Sequence, residues 1–114
     1  MQRVVGDLTE QNSKSLGASI TSKSIRVFDF IGYSLLIKYS GAPTGDFKLQ
    51  VATSSGEPQS SDFNDLAGST DSVVGAGSTF YNVSDVQYTH VRFVYTRTSG
   101  TGSIDKVIFS GKGN

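Results

Sequence analysis

Alternation of apolar and polar side chains is clearest between residues 33 and 51. Tyr33, Leu35, Ile37 and Tyr39 share one face, while Ser34, Lys38 and Ser40 share the other, with Leu36 as the exception. Phe47, Leu49 and Val51 then alternate with Asp46, Lys48 and Gln50. A period of two marks a half-buried strand, because successive side chains of an extended chain point to opposite sides. Between these runs lies Gly41-Ala42-Pro43-Thr44-Gly45-Asp46, where proline fixes φ and glycine supplies conformational freedom. The spacing predicts a hairpin or meander over residues 33–53. Two further β-rich runs within residues 88–113 flank Ser99-Gly100-Thr101-Gly102. They predict a second hairpin, the last element of the fold, ending in a flexible Gly111-Lys112-Gly113.

The remaining segments are shorter. Residues 25–30 read as a strand, with Ile25, Val27 and Asp29 on one face and Arg26, Phe28 and Phe30 on the other. Residues 54–62 form a polar loop, Phe63–Leu66 a helical turn or short strand, and residues 78–83 another strand beyond Gly75-Ala76-Gly77. Residues 9–24 are polar and serine-rich, with no helical stripe. They read as a loop or extended arm, preceded by an edge strand from Arg3 to Leu8. The chain therefore divides into an arm (residues 1–24) and a β domain (residues 25–114). Seven or eight short strands, punctuated about every ten residues and several of them with one clear apolar face, predict an all-β antiparallel sandwich of jelly-roll type.

Composition narrows the function classes. A chain of 114 residues is one domain. Ten basic and ten acidic residues cancel, so there is no field to attract phosphates, and nucleic acid is not the expected partner. Weak mutual repulsion suits a protein that packs into an assembly. The absence of cysteine excludes disulfides and thiolate zinc sites. No apolar leader opens the chain and no run reaches the length of a membrane span, so synthesis and assembly in the cytoplasm are expected.

Candidate chemistry is sparse. His90 is the only histidine, with no nucleophile motif beside it, and reads as a solvent-facing strand residue or a subunit contact. Asp62, Asn64 and Asp65 place three oxygen-bearing side chains within four residues, which calcium favours. They lack the alternation and closing glutamate of a calcium loop and read as turn chemistry instead. Gly75-Ala76-Gly77 and Gly100-Thr101-Gly102 open no helix and read as turns rather than phosphate loops. Tyr33, Tyr39, Tyr81, Tyr88, Tyr95 and Phe80 offer amphipathic rings for stacking on sugars, although core or interface is their commoner use. Arg92 and Arg97 are placed on opposite faces of one strand, Arg92 outward and able to pair with a neighbour's carboxylate. No catalytic, cofactor-binding or metal-binding residue is expected, since nothing pairs a nucleophile with a base.

The segments Tyr33–Ser40, Pro43–Gln50, Leu66–Ser69, Val74–Gly77, Tyr81–Asp85 and Val91–Gly102 together resemble the small β-sandwich virion structural proteins of tailed bacteriophages. The resemblance spans residues 25–113 and is most specific in the closing run to Gly113. A tryptophan common in that family near Phe63 and Tyr81 is missing, which removes a tryptophan-based glycan platform at those positions. The resemblance implies a non-enzymatic particle component, foremost a capsid decoration (cement) protein binding the major capsid protein or other virion proteins. It also implies clustering as a homo-oligomer, with the arm lying across neighbouring subunits. The rival expectation is a glycan-binding or host-recognition module of a tail or fibre, with exposed Tyr or Phe near Asp or Asn in one concave patch.

Overall fold

Two long strands organise the molecule, and they pair with each other. The computed structural model describes residues 3–7, 15–28 and 30–113. Its strands are β1 (Arg3–Asp7), β2 (Ile20–Thr21), β3 (Ile25–Arg26), β4 (Phe30–Ala52), β5 (Asn64–Asp65), β6 (Asp71–Val74), β7 (Gly77–Val83) and β8 (His90–Gly113). A 3-10 turn at Ser60–Asp62 is the only helical element among the described residues. All pairings are antiparallel and form one eight-stranded sheet. The predicted all-β sandwich is thus the observed fold.

The two predicted hairpins are not. Residues 33–53 do not double back on themselves, and neither do residues 88–113. Instead β4 and β8 run antiparallel along their whole lengths, from Phe30 opposite Gly113 to Ala52 opposite His90. The residues read as hairpin turns lie face to face in this ladder: Gly41 opposite Gly102 and Pro43 opposite Gly100. Gly41 (φ 92°) and Gly100 (φ 79°) have left-handed φ, so the chain bends there without reversing. Register shifts bracket the bend, leaving Thr98 and Asp105 as extra residues on β8, and bulges of this kind add curvature. The edge follows the same corner: β7 pairs with the first half of β4, β6 with the second, and between them the Gly75 N–H donates to the Pro43 carbonyl at 2.9 Å.

The bend folds one sheet into two leaves. The first holds β1, the second half of β8, the first half of β4, and β7. The second holds β2 and β3, the first half of β8, the second half of β4, and β5 and β6. The predicted alternation sets the core: Tyr33, Leu35, Ile37, Phe47, Leu49, Phe93 and Tyr95 are buried in a single cluster drawn from both leaves. Phe47 sits at its centre, 4.9 Å from the Tyr95 ring, 5.6 Å from Tyr39 and 5.9 Å from Phe93. Burying side chains of this size contributes roughly 1.5–3 kcal/mol each.

Two further expectations change. Part of the stretch read as arm or loop is packed on the sandwich. Leu16 is 0% exposed, its N–H donates to the Gly102 carbonyl at 2.8 Å, and the Phe93 N–H donates to Ser22 Oγ at 2.9 Å. Residues 8–14 lie outside the described residues, as does Asp29. The closing glycines are not a loose end: Gly111 pairs with Tyr33 and Val4, and a Cβ there would meet the Phe30 ring at 2.7 Å.

Candidate functional site

Three segments converge at one end of the second leaf. β3 pairs with the start of β8, Arg26 opposite His90, while β4 ends at Ala52, also opposite His90. The loop leaving β4 therefore begins beside the turn leaving β3. Between them opens a cleft of about 510 Å³ lined by Ser24, Arg26, Phe28, Ser54–Glu57, Thr89 and His90.

Each side chain is placed by backbone geometry. The Val27 N–H donates to the Thr89 carbonyl at 2.8 Å and the Phe30 N–H to the Val27 carbonyl at 3.0 Å, making a tight turn with Phe28 at its tip. Val27 is buried, so Phe28 points outward and is 62% exposed. The Arg26 guanidinium lies 5.4 Å from the Phe28 ring centroid, within cation–π range. On the loop side, the Ser54 N–H donates to Thr89 Oγ1 at 2.9 Å and the Gly56 N–H to Ser54 Oγ at 3.3 Å, which fixes the loop that carries Ser55 and Glu57.

His90 is 8% exposed, and the expectation of a solvent-facing strand residue is corrected. Its Nδ1 lies 2.8 Å from Thr89 Oγ1, which also lies 3.0 Å from the Ala52 carbonyl oxygen. The Ala52 carbonyl also accepts from the Thr89 N–H at 3.0 Å and the hydroxyl accepts from the Ser54 N–H at 2.9 Å, so Thr89 is tied down and holds one edge of the His90 ring in place, leaving Nε2 as the other polar atom of the ring. Thr89 is thereby spent on structure.

The other sequence candidates fall elsewhere. Asp62 Oδ2 accepts from the Gln59 N–H at 2.8 Å, and Asp65 accepts from Lys48 Nζ at 3.0 Å and Gln50 Nε2 at 2.9 Å. Asp62 thus makes the turn contact read from the sequence, whereas Asn64 and Asp65 lie in β5 and Asp65 bonds side chains of β4 instead of nearby backbone amides. The Gln50 and Lys48 hydrogen bonds hold the Asp65 carboxyl below its ordinary range. Arg92 faces outward as expected but is engaged within the chain. Its guanidinium lies 4.1 Å from the Phe63 centroid and its Nε donates to Gln50 Oε1 at 2.9 Å. Arg97 lies beside the corner and donates to the Gly100 carbonyl at 2.9 Å.

The tyrosines serve the core. Tyr33, Tyr39, Tyr81 and Tyr95 are buried, and Tyr88 is half-buried with its hydroxyl 2.7 Å from that of Tyr33. The open rings are Phe28 and Phe80, the latter 60% exposed. Sequence reasoning included Phe80 among its candidates and missed Phe28. An apolar residue in the run Val27-Phe28-Asp29-Phe30 carries no local sign that it caps a turn.

No protein-family model matches the chain, and no curated protein matches it. Solved structures do. The crystal structure of the SPBc2 prophage-derived protein YomS aligns over 96% of this chain and 92% of its own, with a TM-score of 0.56 at 14% identity. The Clostridium thermocellum xylanase 10B structure, comprising CBM22-1 and GH10 modules with xylohexaose, aligns over 99% of this chain and 25% of its own, with a TM-score of 0.52 at 11% identity. At these identities the likeness is one of fold. The chain shares its β-sandwich, nearly end to end, with a prophage-derived protein.

Proposed function

We propose that the chain is a non-enzymatic structural protein of a bacteriophage virion, a decoration protein that adheres to capsid subunits through the outer face of its first leaf. The observation that carries this reading is a stripe of apolar side chains on a face the core does not use. Leu36, the exception in the alternation, lies in register opposite Phe80 on β7 and Ile108 on β8. The stripe crosses three strands, with Phe80 exposed and Leu36 and Ile108 half-buried. An apolar stripe rimmed by polar residues is the usual form of a protein contact.

The rim indicates the partner's charge. Lys38 stands directly opposite Lys106, and Lys112 follows on the same face of β8. Like charges placed opposite each other are unfavourable in an isolated sheet. Carboxylates on a docked surface relieve that repulsion, so an acidic, partly apolar patch of a capsid subunit is the complement. The fold shared with a prophage-derived protein supports the same setting, as does the resemblance carried by residues 25–113.

Cryo-electron microscopy of the intact particle tests the assignment, paired with co-sedimentation on particles stripped of this chain. Regular copies on the capsid lattice, with Phe80 against a capsid subunit, are the expected result, together with lost binding for Phe80→Glu. Density confined to the tail tip overturns the proposal, and so does undiminished co-sedimentation of Phe80→Glu.

A further inference from the structure

The cleft at the far end of the second leaf shares no residue with the adhesive stripe. We propose that it is a saccharide-binding site for one or two neutral pyranose units. The mouth of the cleft holds an exposed aromatic ring, Phe28, outside the core cluster. A pyranose has an apolar C–H face that lies against such a ring and a rim of hydroxyls that each donate and accept. The groups around Phe28 match that rim. Glu57 accepts, the Arg26 guanidinium donates, the Ser24 and Ser55 hydroxyls do either, and His90 offers a ring nitrogen.

Three features separate this chemistry from other small ligands. One guanidinium and one carboxylate line the cleft, so their charges cancel and no excess of positive charge selects a phosphate. The His90 ring is held in advance by Thr89, which is itself tied to Ala52 and Ser54. Such preorganisation lowers the ordering cost of binding. Finally, about 510 Å³ lies within the roughly 300–1,000 Å³ of small-ligand sites.

The test uses the full chain, fluorescently labelled, on an array of neutral and acidic glycans, with calorimetry on each glycan retained. Saturable binding of a neutral glycan is expected. Phe28→Ala, at an exposed site where folding is spared, weakens it by about tenfold or more. Glu57→Gln also weakens it, whereas Phe80→Glu binds as the parent does, which separates this site from the adhesive face. Amide shifts at Phe28, Ser55, Gly56 and His90 locate the sugar. The proposal is overturned if no glycan is retained above the Phe28→Ala background, if Phe28→Ala binds like the parent, or if inorganic phosphate or acidic sugars bind in preference to neutral ones.

Discussion

Gly41 and Gly102 face each other across the β4–β8 ladder so closely that a Cβ on Gly41 would stand 2.7 Å from the Cα of Gly102. Gly100, one step further round the corner, would drive a Cβ into the Ala42 carbonyl oxygen. Both also hold left-handed φ angles. Gly41→Ala and Gly100→Ala therefore combine backbone strain with a clash against main chain that has no room to move. Each is expected to lower stability by about 2–4 kcal/mol in urea unfolding. Gly56, with nothing within 4 Å of its built Cβ, is the control, and its alanine variant stays within about 0.5 kcal/mol of the parent. Equal effects at positions 56 and 100 would remove the corner from this account.

The same glycines mark what the sequence could and could not tell. The alternation through Tyr33, Leu35, Ile37, Phe47 and Leu49 correctly names the inward face, because a period of two depends only on local geometry. Pairing is not local. Residues that permit a chain reversal also permit a shared bend of two strands. Nothing near Gly41 or Gly100 states that their partners lie on a strand about sixty residues away. The cleft was illegible for the same reason. Arg26, Glu57 and His90 are distant in sequence and meet only because β3 and β4 both end against the start of β8.

Tyr95 and Tyr33 are expected to respond oppositely to loss of their hydroxyls. Tyr95 is fully buried, and its hydroxyl has no hydrogen-bond partner among the described residues. Burying an unmatched hydroxyl is unfavourable, so Tyr95→Phe raises stability by about 1 kcal/mol. The Tyr33 hydroxyl lies 2.7 Å from that of Tyr88, and Tyr33→Phe lowers stability by about 1 kcal/mol. Adding Tyr88→Phe to Tyr33→Phe costs less than its effect alone, since the bond is already gone. Paired urea midpoints decide this. A destabilised Tyr95→Phe would mean that the hydroxyl has a partner in solution.

Alkaline pH probes the same rings. Burial, then the hydrogen bond and charge interaction with Tyr88, pushes the Tyr33 phenol well above its ordinary range. Burial, then the charge of Asp71, does the same to Tyr81. A pKa raised in the folded state means that the unfolded chain releases its proton first, near pH 10. The stability these groups contribute is therefore complete below about pH 10 and declines above it, by up to about 1.4 kcal/mol per pH unit for each tyrosine. Unfolding midpoints are expected to hold from pH 8 to 9.5 and then fall, with part of the 295 nm phenolate absorbance delayed until the chain unfolds. Complete ionisation with the fold intact would contradict the burial of Tyr33 and Tyr81.

The stack of Arg92 on Phe63 is the strongest test of geometry on the outer face of the second leaf. The guanidinium is held over the ring at 4.1 Å while its Nε is fixed by Gln50, so planarity matters as well as charge. Arg92→Lys keeps the charge but loses the flat contact and the Nε–H bond, and it is expected to cost about 1 kcal/mol. Phe63→Leu keeps apolar bulk without the ring and costs a similar amount. If the stack is the shared cause, the double variant costs about 0.5 kcal/mol less than the two losses added together. Full additivity, or a lysine variant as stable as the parent, would show that the residues act separately and that the loop at Ser60–Asp65 is held by its other contacts, among them Asp65 with Lys48 and Gln50 and the pairing of β5 with β4.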